Sequence, residues 1–206
     1  MRVFPKVKTL NIFDLDGTVI NSFHRVKPCL KENGDLDLNK YRDEACQHDK
    51  IQADSLLPLS EYMKKSIKDN DTHNIILTAR KMSKSDYYFL RKQGLLTNQP
   101  QAARVLSRDT LHKWASAQEL NNVYYSSDSN YKSFYFQLIK TMYPNAVITV
   151  FDDHLGVLDV AQNLGITAIN ATVLNDILDT GYYLAGEQFI ERVEQDITQD
   201  VNEIIE

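Results

Sequence analysis

Two aspartates separated by a single residue stand in the string Asp14-Leu15-Asp16-Gly17-Thr18. Two carboxylates leaving the end of a strand can serve as nucleophile and acid/base, and Gly17 permits the tight turn that such a pair needs. A second string, Thr78-Ala79-Arg80, offers a bound phosphate a hydroxyl, a run of backbone N–H groups and a guanidinium. A third, Asp152-Asp153, closes the most β-branched run in the chain. Adjacent carboxylates leaving a buried strand repel one another and lose solvation, so a divalent cation or a strong hydrogen-bond network must compensate. Magnesium, which takes oxygen ligands, is the leading candidate. Lys132, expected at the start of the helix that leads into the strand ending in Asp152-Asp153, adds one positive charge at the same edge, able to neutralise a phosphoryl oxygen and the nucleophile together.

The elements that must position these residues follow from the hydrophobic pattern. Lys8 to Leu15, His73 to Thr78, Ala103 to Leu106 and Ala146 to Phe151 read as short buried strands, and Ile166 to Asn170 as a further one after the helix-stopping Gly165. Helical patterning covers about Leu57 to Lys68, Lys84 to Gln93, Thr110 to Leu120, Ser133 to Met142 and Leu155 to Leu164. Val123 to Ser127 suits a strand or an extended loop equally. From Gly181 onward apolar residues recur three and four apart, which predicts a terminal amphipathic helix with an acidic solvated face. Strands alternating with helices make an α/β sandwich with a mostly parallel sheet, whose ligands bind beyond the carboxyl ends of its strands. The chemically loaded residues all fall at such ends.

Composition narrows the class. At 206 residues, 43% hydrophobic and 25% charged, with seven Gly and five Pro, the chain suits one ordinary domain, with Asn21 to Leu56 the only room for a small cap-like insertion. No apolar run is long enough to span a membrane and none resembles a signal peptide, so a cytoplasmic location is expected. Cys29 and Cys46 read as free thiols, and the five histidines show no metal-ligand spacing, although His154 could still line the site. A net charge of −5 supplies no basic field for a nucleic-acid backbone.

Taken singly, an Asp-Asp pair reads as a solvated loop or helix cap, Thr78 as a strand residue and a lone lysine as surface. Together and in order, FDLDGTV, LTAR, Lys132 and VFDDH resemble the four motifs of the haloacid dehalogenase (HAD) superfamily of phosphohydrolases, over about residues 8 to 170. The resemblance implies a HAD-like Rossmannoid three-layer sandwich with minimal or no cap. It further implies that Asp14 attacks phosphorus and forms an aspartyl phosphate that water hydrolyses, with Asp16 as general acid and then base. Thr78, the Ala79 N–H and Lys132 would hold the phosphoryl oxygens. Mg²⁺ would be bound by Asp14, Asp152, the backbone carbonyl of Asp16 and Asp153, the division between Asp152 and Asp153 staying open.

Looser matches, FHRV after the first motif, DLDLNKY, Arg108-Asp109 and Asp128 four residues before Lys132, resemble the phosphatase domains of polynucleotide kinases and related phage proteins. They imply a phosphate on a nucleotide or nucleic-acid end, with Arg80 and Arg108 near the leaving group. The chain has no kinase P-loop. A general small-molecule phosphatase and a catalytically idle domain that binds a phosphorylated partner are the alternatives, and the oligomeric state is open.

Overall fold

The computed structural model describes residues 3–98 and 104–179. Ala103 of the expected third strand and the expected helix from Gly181 lie outside these residues. The elements run β1 (Thr9–Phe13), β2 (Ile20–Asn21), α1 (Phe23–Val26), a 3₁₀ turn (Lys27–Cys29), α2 (Leu38–Lys40), a π-helical turn (Tyr41–Ala45), α3 (His48–Gln52), β3 (Ser55–Leu56), α4 (Leu59–Ser66), β4 (Thr72–Leu77) and α5 (Lys84–Lys92). There follow β5 (Arg104–Leu106), a 3₁₀ helix (Arg108–Lys113), α6 (Ala117–Tyr124), α7 (Asp128–Met142), β6 (Val147–Asp152), α8 (Leu155–Asn163), β7 (Thr167–Asn170) and α9 (Ala171–Asp179).

The main sheet has the order β5-β4-β1-β6-β7, and every pairing in it is parallel. The first strand in the chain is thus the middle strand of the sheet, with β4 paired on one side and β6 on the other. Strand order reverses about β1, which makes its carboxyl end the crevice where a ligand is held. Leu10, Ile12 and Phe13 are 0%, 1% and 0% exposed, as expected of a strand covered on both faces.

Alternation with period two distributes the core. Leu10, Ile12, Ile75, Leu77 and Val150 face a cluster completed by Tyr131, Tyr135, Phe136 and Ile139 of α7 and by Val157 and Ala161 of α8. Phe13, Ile76 and Phe151 face the opposite cluster, with Leu59 and Met63 of α4, Phe89 and Leu90 of α5 and Ala171 of α9. Phe13 and Phe151 stack at 4.8 Å between centroids on adjacent strands. The fold is therefore a Rossmann-like sandwich, helices on both faces of a parallel sheet.

Three boundaries differ from the sequence reading. The single helix expected over Thr110 to Leu120 is split: a 3₁₀ helix ends at Lys113, and Ser116 starts a new helix through a capping box with Glu119. Val123 and Tyr124 close that helix and belong to no strand. Ser127 then caps α7, accepting from the Asn130 N–H, so the helix begins at Asp128, five residues before the expected start. Lys132 consequently lies in the second turn of α7 rather than at its beginning.

Residues 21 to 56 leave and rejoin the core through the antiparallel pair β2 and β3, with Ile20 opposite Leu56. The insertion between them is small and built from single turns. Cys29 and Cys46 are free thiols. Among the described residues no helix is long and apolar enough to cross a membrane.

Candidate active site

Strand β1 ends at Phe13, and the Asp14 N–H still donates to Phe151 O at 2.9 Å, which holds Asp14 against the end of β6. The chain then turns sharply: Gly17 N–H donates to Ile20 O at 2.9 Å, and Gly17 takes φ +78. A left-handed backbone favours glycine, and here space demands it as well. A Cβ on Gly17 would lie 2.4 Å from Asp153 Oδ2, so the loop after β6 is packed directly onto the turn after β1.

Lys132 reaches this junction from α7. Its ammonium donates to Asp14 Oδ1 and to Asp152 Oδ2, each at 2.6 Å, and the side chain is 4% exposed. Asp152 Oδ1 accepts from the His154 N–H at 3.0 Å, so both of its oxygens are oriented. Burial pushes the Asp14 carboxyl up to about 8; Lys132 pulls against this, while the carboxylates of Asp152 and Asp153 push with it. Lys132 keeps its charge: burial works against it, but the carboxylates of Asp14 and Asp152 outweigh that burial.

Three carboxylates against one lysine leave the junction short of positive charge. Among the described residues no three His, Cys, Asp or Glu side chains converge as a metal cage. Magnesium does not require one, since it commonly rests on one or two carboxylates, water and the phosphate of its substrate. Asp14 and Asp152, brought together on Lys132, offer carboxylate oxygens of the kind such a cation takes.

The second expected string meets the first from β4. Thr78 is buried, its N–H donates to Leu106 O at 3.0 Å, and its hydroxyl accepts from the Arg80 N–H at 3.4 Å. Arg80 bends toward Asp16: its Nε donates to Asp16 Oδ2 at 2.5 Å and one terminal nitrogen to Asp86 Oδ1 at 2.8 Å. Asp86 is buried, and it also closes the capping box that starts α5 at Ser83. Arg108, expected beside the substrate, instead acts as a brace. All three of its nitrogens are engaged, with the carbonyls of Ala79, Tyr124 and Ser126 and the carboxylate of Asp128, and its guanidinium lies 4.6 Å from the Tyr131 ring centroid.

The sequence reading missed the residue that completes the cluster. Arg25, in the one-turn helix α1 of the insertion, is 1% exposed, donates to both oxygens of Asp54 at 2.8 Å, and reaches Asp16 Oδ1 at 3.1 Å. Burial works to raise the Asp16 carboxyl, but the guanidiniums of Arg80 and Arg25 outweigh it and hold the group below the usual range. The only sequence signal was the FHRV string itself, in which Arg25 is one of two basic residues with nothing to mark it as buried. Of the histidines, His24 contacts Lys50 O and lies 3.8 Å from Asp54 at the rim of the cluster, His48 meets Ser85, and His154 contributes its backbone N–H.

The assembled site is thus a buried carboxylate pinned by a lysine, beside a second carboxylate held by two guanidiniums, at the carboxyl ends of β1, β4 and β6. A family model described as bacteriophage T5 5′-deoxynucleotidase matches residues 2–206. The 5′-deoxynucleotidase of Escherichia phage T5 is 53% identical over 195 residues, covering 95% of this chain and 80% of that protein. A solved structure titled as the crystal structure of a hydrolase from Streptococcus pneumoniae TIGR4 aligns over 84% of this chain and 99% of that one, with 11% identity and a TM-score of 0.48.

Proposed function

Because this chain belongs to the bacteriophage T5 5′-deoxynucleotidase family, and so is an enzyme of the nucleotide-phosphatase class, we propose that it removes the phosphate of deoxynucleoside 5′-monophosphates through a covalent phosphate on Asp14. The observation that carries the mechanism is the pair of 2.6 Å contacts by which Lys132 holds Asp14 and Asp152 at the switch point of the sheet. Asp14 presents a carboxylate oxygen to phosphorus opposite the 5′ oxygen, and Lys132 stabilises it as an anion despite its burial. The Thr78 hydroxyl and the Ala79 N–H receive the phosphoryl oxygens.

For this step Asp16, whose side chain is 26% exposed, first takes up a proton from solvent against the pull of Arg80 and Arg25, and as the P–O bond breaks it gives that proton to the departing 5′ oxygen. It then takes one from the water that attacks the aspartyl phosphate, so that Asp14 is regenerated and inorganic phosphate leaves. Asp14, Asp152 and the Asp16 carbonyl would hold a magnesium ion, with Asp153 beside it, and that ion would neutralise phosphoryl charge. This assignment keeps the motif order of the HAD superfamily. A free nucleotide is favoured over a nucleic-acid end by the family and by the net charge of −5, which gives a polyanion no electrostatic footprint.

The test is phosphate release from deoxynucleoside and ribonucleoside 5′-monophosphates, a 3′-monophosphate, an end-phosphorylated oligonucleotide and a sugar phosphate, with magnesium, with EDTA and with Asp14→Asn. Magnesium-dependent release from the deoxynucleotides that vanishes in Asp14→Asn is the expected result. Release that survives Asp14→Asn would exclude the covalent route, and preference for the sugar phosphate would exclude the substrate.

A further inference from the structure

The carboxylate expected to move protons lies at the middle of a chain of charges that runs from α5 to the insertion. Reading outward from the core, Asp86, Arg80, Asp16, Arg25 and Asp54 alternate in sign, and the contacts along the chain are 2.8, 2.5, 3.1 and 2.8 Å. Asp16 has one oxygen taken by each guanidinium: Oδ1 by Arg25 and Oδ2 by Arg80. One terminal nitrogen of Arg25 is shared between Asp16 and Asp54. Its other terminal nitrogen donates to the Tyr41 hydroxyl at 3.3 Å, and its Nε donates to Asp54 at 2.8 and 3.1 Å.

Every nitrogen of Arg25 is therefore in use, and the side chains of Arg25 and Asp54 are both 0% exposed. With each nitrogen already engaged and no solvent access, Arg25 is not placed to grip a substrate phosphate. A buried pair of this kind gives a fold little stability over apolar packing of the same volume, but it fixes geometry, because a forked guanidinium tolerates few orientations of its carboxylate.

We propose that Asp54 and Arg25 are positioning residues: Asp54 orients Arg25, Arg25 orients the Asp16 carboxylate for its two proton transfers, and the insertion is thereby part of the catalytic machinery. The proposal rests on the reading of Asp16 as acid and base. It assigns residues 21–56 a task distinct from covering the cleft, since Asp54, at the end of the insertion, and Arg25, at its beginning, meet only when the β2–β3 pair closes.

The experiment is a set of double-mutant cycles on deoxynucleoside 5′-monophosphate hydrolysis with magnesium, using Asp54→Asn and Arg25→Lys alone and in an Asp16→Asn background. A lysine keeps the charge but cannot fork between Asp54 and Asp16. Each single change is expected to lower kcat by about 10- to 100-fold with KM within about twofold, the scale of a misplaced proton-transfer group. In the Asp16→Asn background each is expected to add less than about twofold, because the group being positioned is already gone. Equal losses in both backgrounds, a rise in KM in place of the fall in kcat, or unchanged kcat in well-folded variants would overturn the proposal. Melting temperatures identify a variant that fails to fold, and the other substitution then decides. If instead Asp16→Asn is fully active, the acid/base reading falls, and the cycles are not needed to see it.

Discussion

Replacing Gly17 by alanine separates two effects that usually arrive together. The backbone effect is shared: Gly17, Gly94 and Gly165 adopt φ of +78, +76 and +70, and an alanine at any of them occupies the left-handed region at a cost of about 1–2 kcal/mol. For a chain of this size that corresponds to a fall in Tm of roughly 2–8 °C. The steric effect belongs to Gly17 alone, for the new Cβ meets nothing within 4 Å at Gly94 or Gly165, whereas at Gly17 it would stand 2.4 Å from Asp153 Oδ2. Ordinary contact begins at 3.4 Å, so the Asp153 carboxylate must retreat by 3.4 − 2.4 = 1.0 Å, although its Cβ, at 3.6 Å, can stay in place. A displacement of that size at a reacting centre costs about 10²-fold. The assay is Tm by scanning fluorimetry together with kcat/KM for a deoxynucleoside 5′-monophosphate in magnesium. All three variants are expected to melt earlier by similar amounts, with G17A alone losing about two orders of magnitude in kcat/KM. If G17A retains kcat/KM within about threefold of G94A, the tight packing of Asp153 on the first turn has no part in catalysis and the argument from geometry fails.

Other perturbations probe the supports of the site. Lys132→Met leaves Asp14 and Asp152 buried without their shared cation, and is expected to cost about 3–5 kcal/mol in a chemical denaturation series, along with activity; a midpoint equal to wild type would show that the lysine is not their main partner. Asn175 accepts from the Leu59 N–H at 2.8 Å and donates to Thr18 O at 2.9 Å. Asn175→Ala strands both backbone groups and should lower stability by about 2–4 kcal/mol, which thermal melts would measure. Glu119 is held below its ordinary range by hydrogen bonds from the Ser116 hydroxyl and N–H. The folded state therefore binds fewer protons than the unfolded chain near pH 4, and this contribution is present above about pH 4.5 and lost as pH falls through the folded value. Glu119→Gln should flatten the acid side of a Tm-against-pH curve, and an unchanged slope would discount the capping box as its source.

The strands were legible because each is a short apolar run that ends in a residue able to do chemistry, and burial on both faces leaves little choice of pattern. The reading placed Asp14, Thr78 and Asp152 at the carboxyl edge from that pattern alone, and the sheet brings their strand ends side by side. Helix starts were less legible where serine does the work. Ser116 and Ser127 each begin a helix by capping, but Ser116 lies inside a run that reads as one helix and Ser127 follows tyrosines that suit a strand equally well, so Lys132 was placed at the wrong turn of its helix. Arg25, Asp54 and Asp86 could not be singled out, because their roles come from contacts across 9, 29 and 6 residues that no periodicity encodes. A charged residue reads as surface until a partner is known, and here each partner is another charged residue.

The central place of β1 also governs how the protein is made. Thr9–Phe13 leaves the ribosome first, yet one of its two neighbours, β6, does not begin until Val147. At synthesis rates of about 5–20 residues per second, the intervening 147 − 9 = 138 residues take roughly 7–28 s, during which one edge of the central strand of the sheet stays unpaired. Asp14 remains without its lysine for nearly as long, since Lys132 lies 118 residues downstream. A nascent chain stalled before Val147 should accordingly be cut by protease throughout its first motif, and one released after α9 should resist.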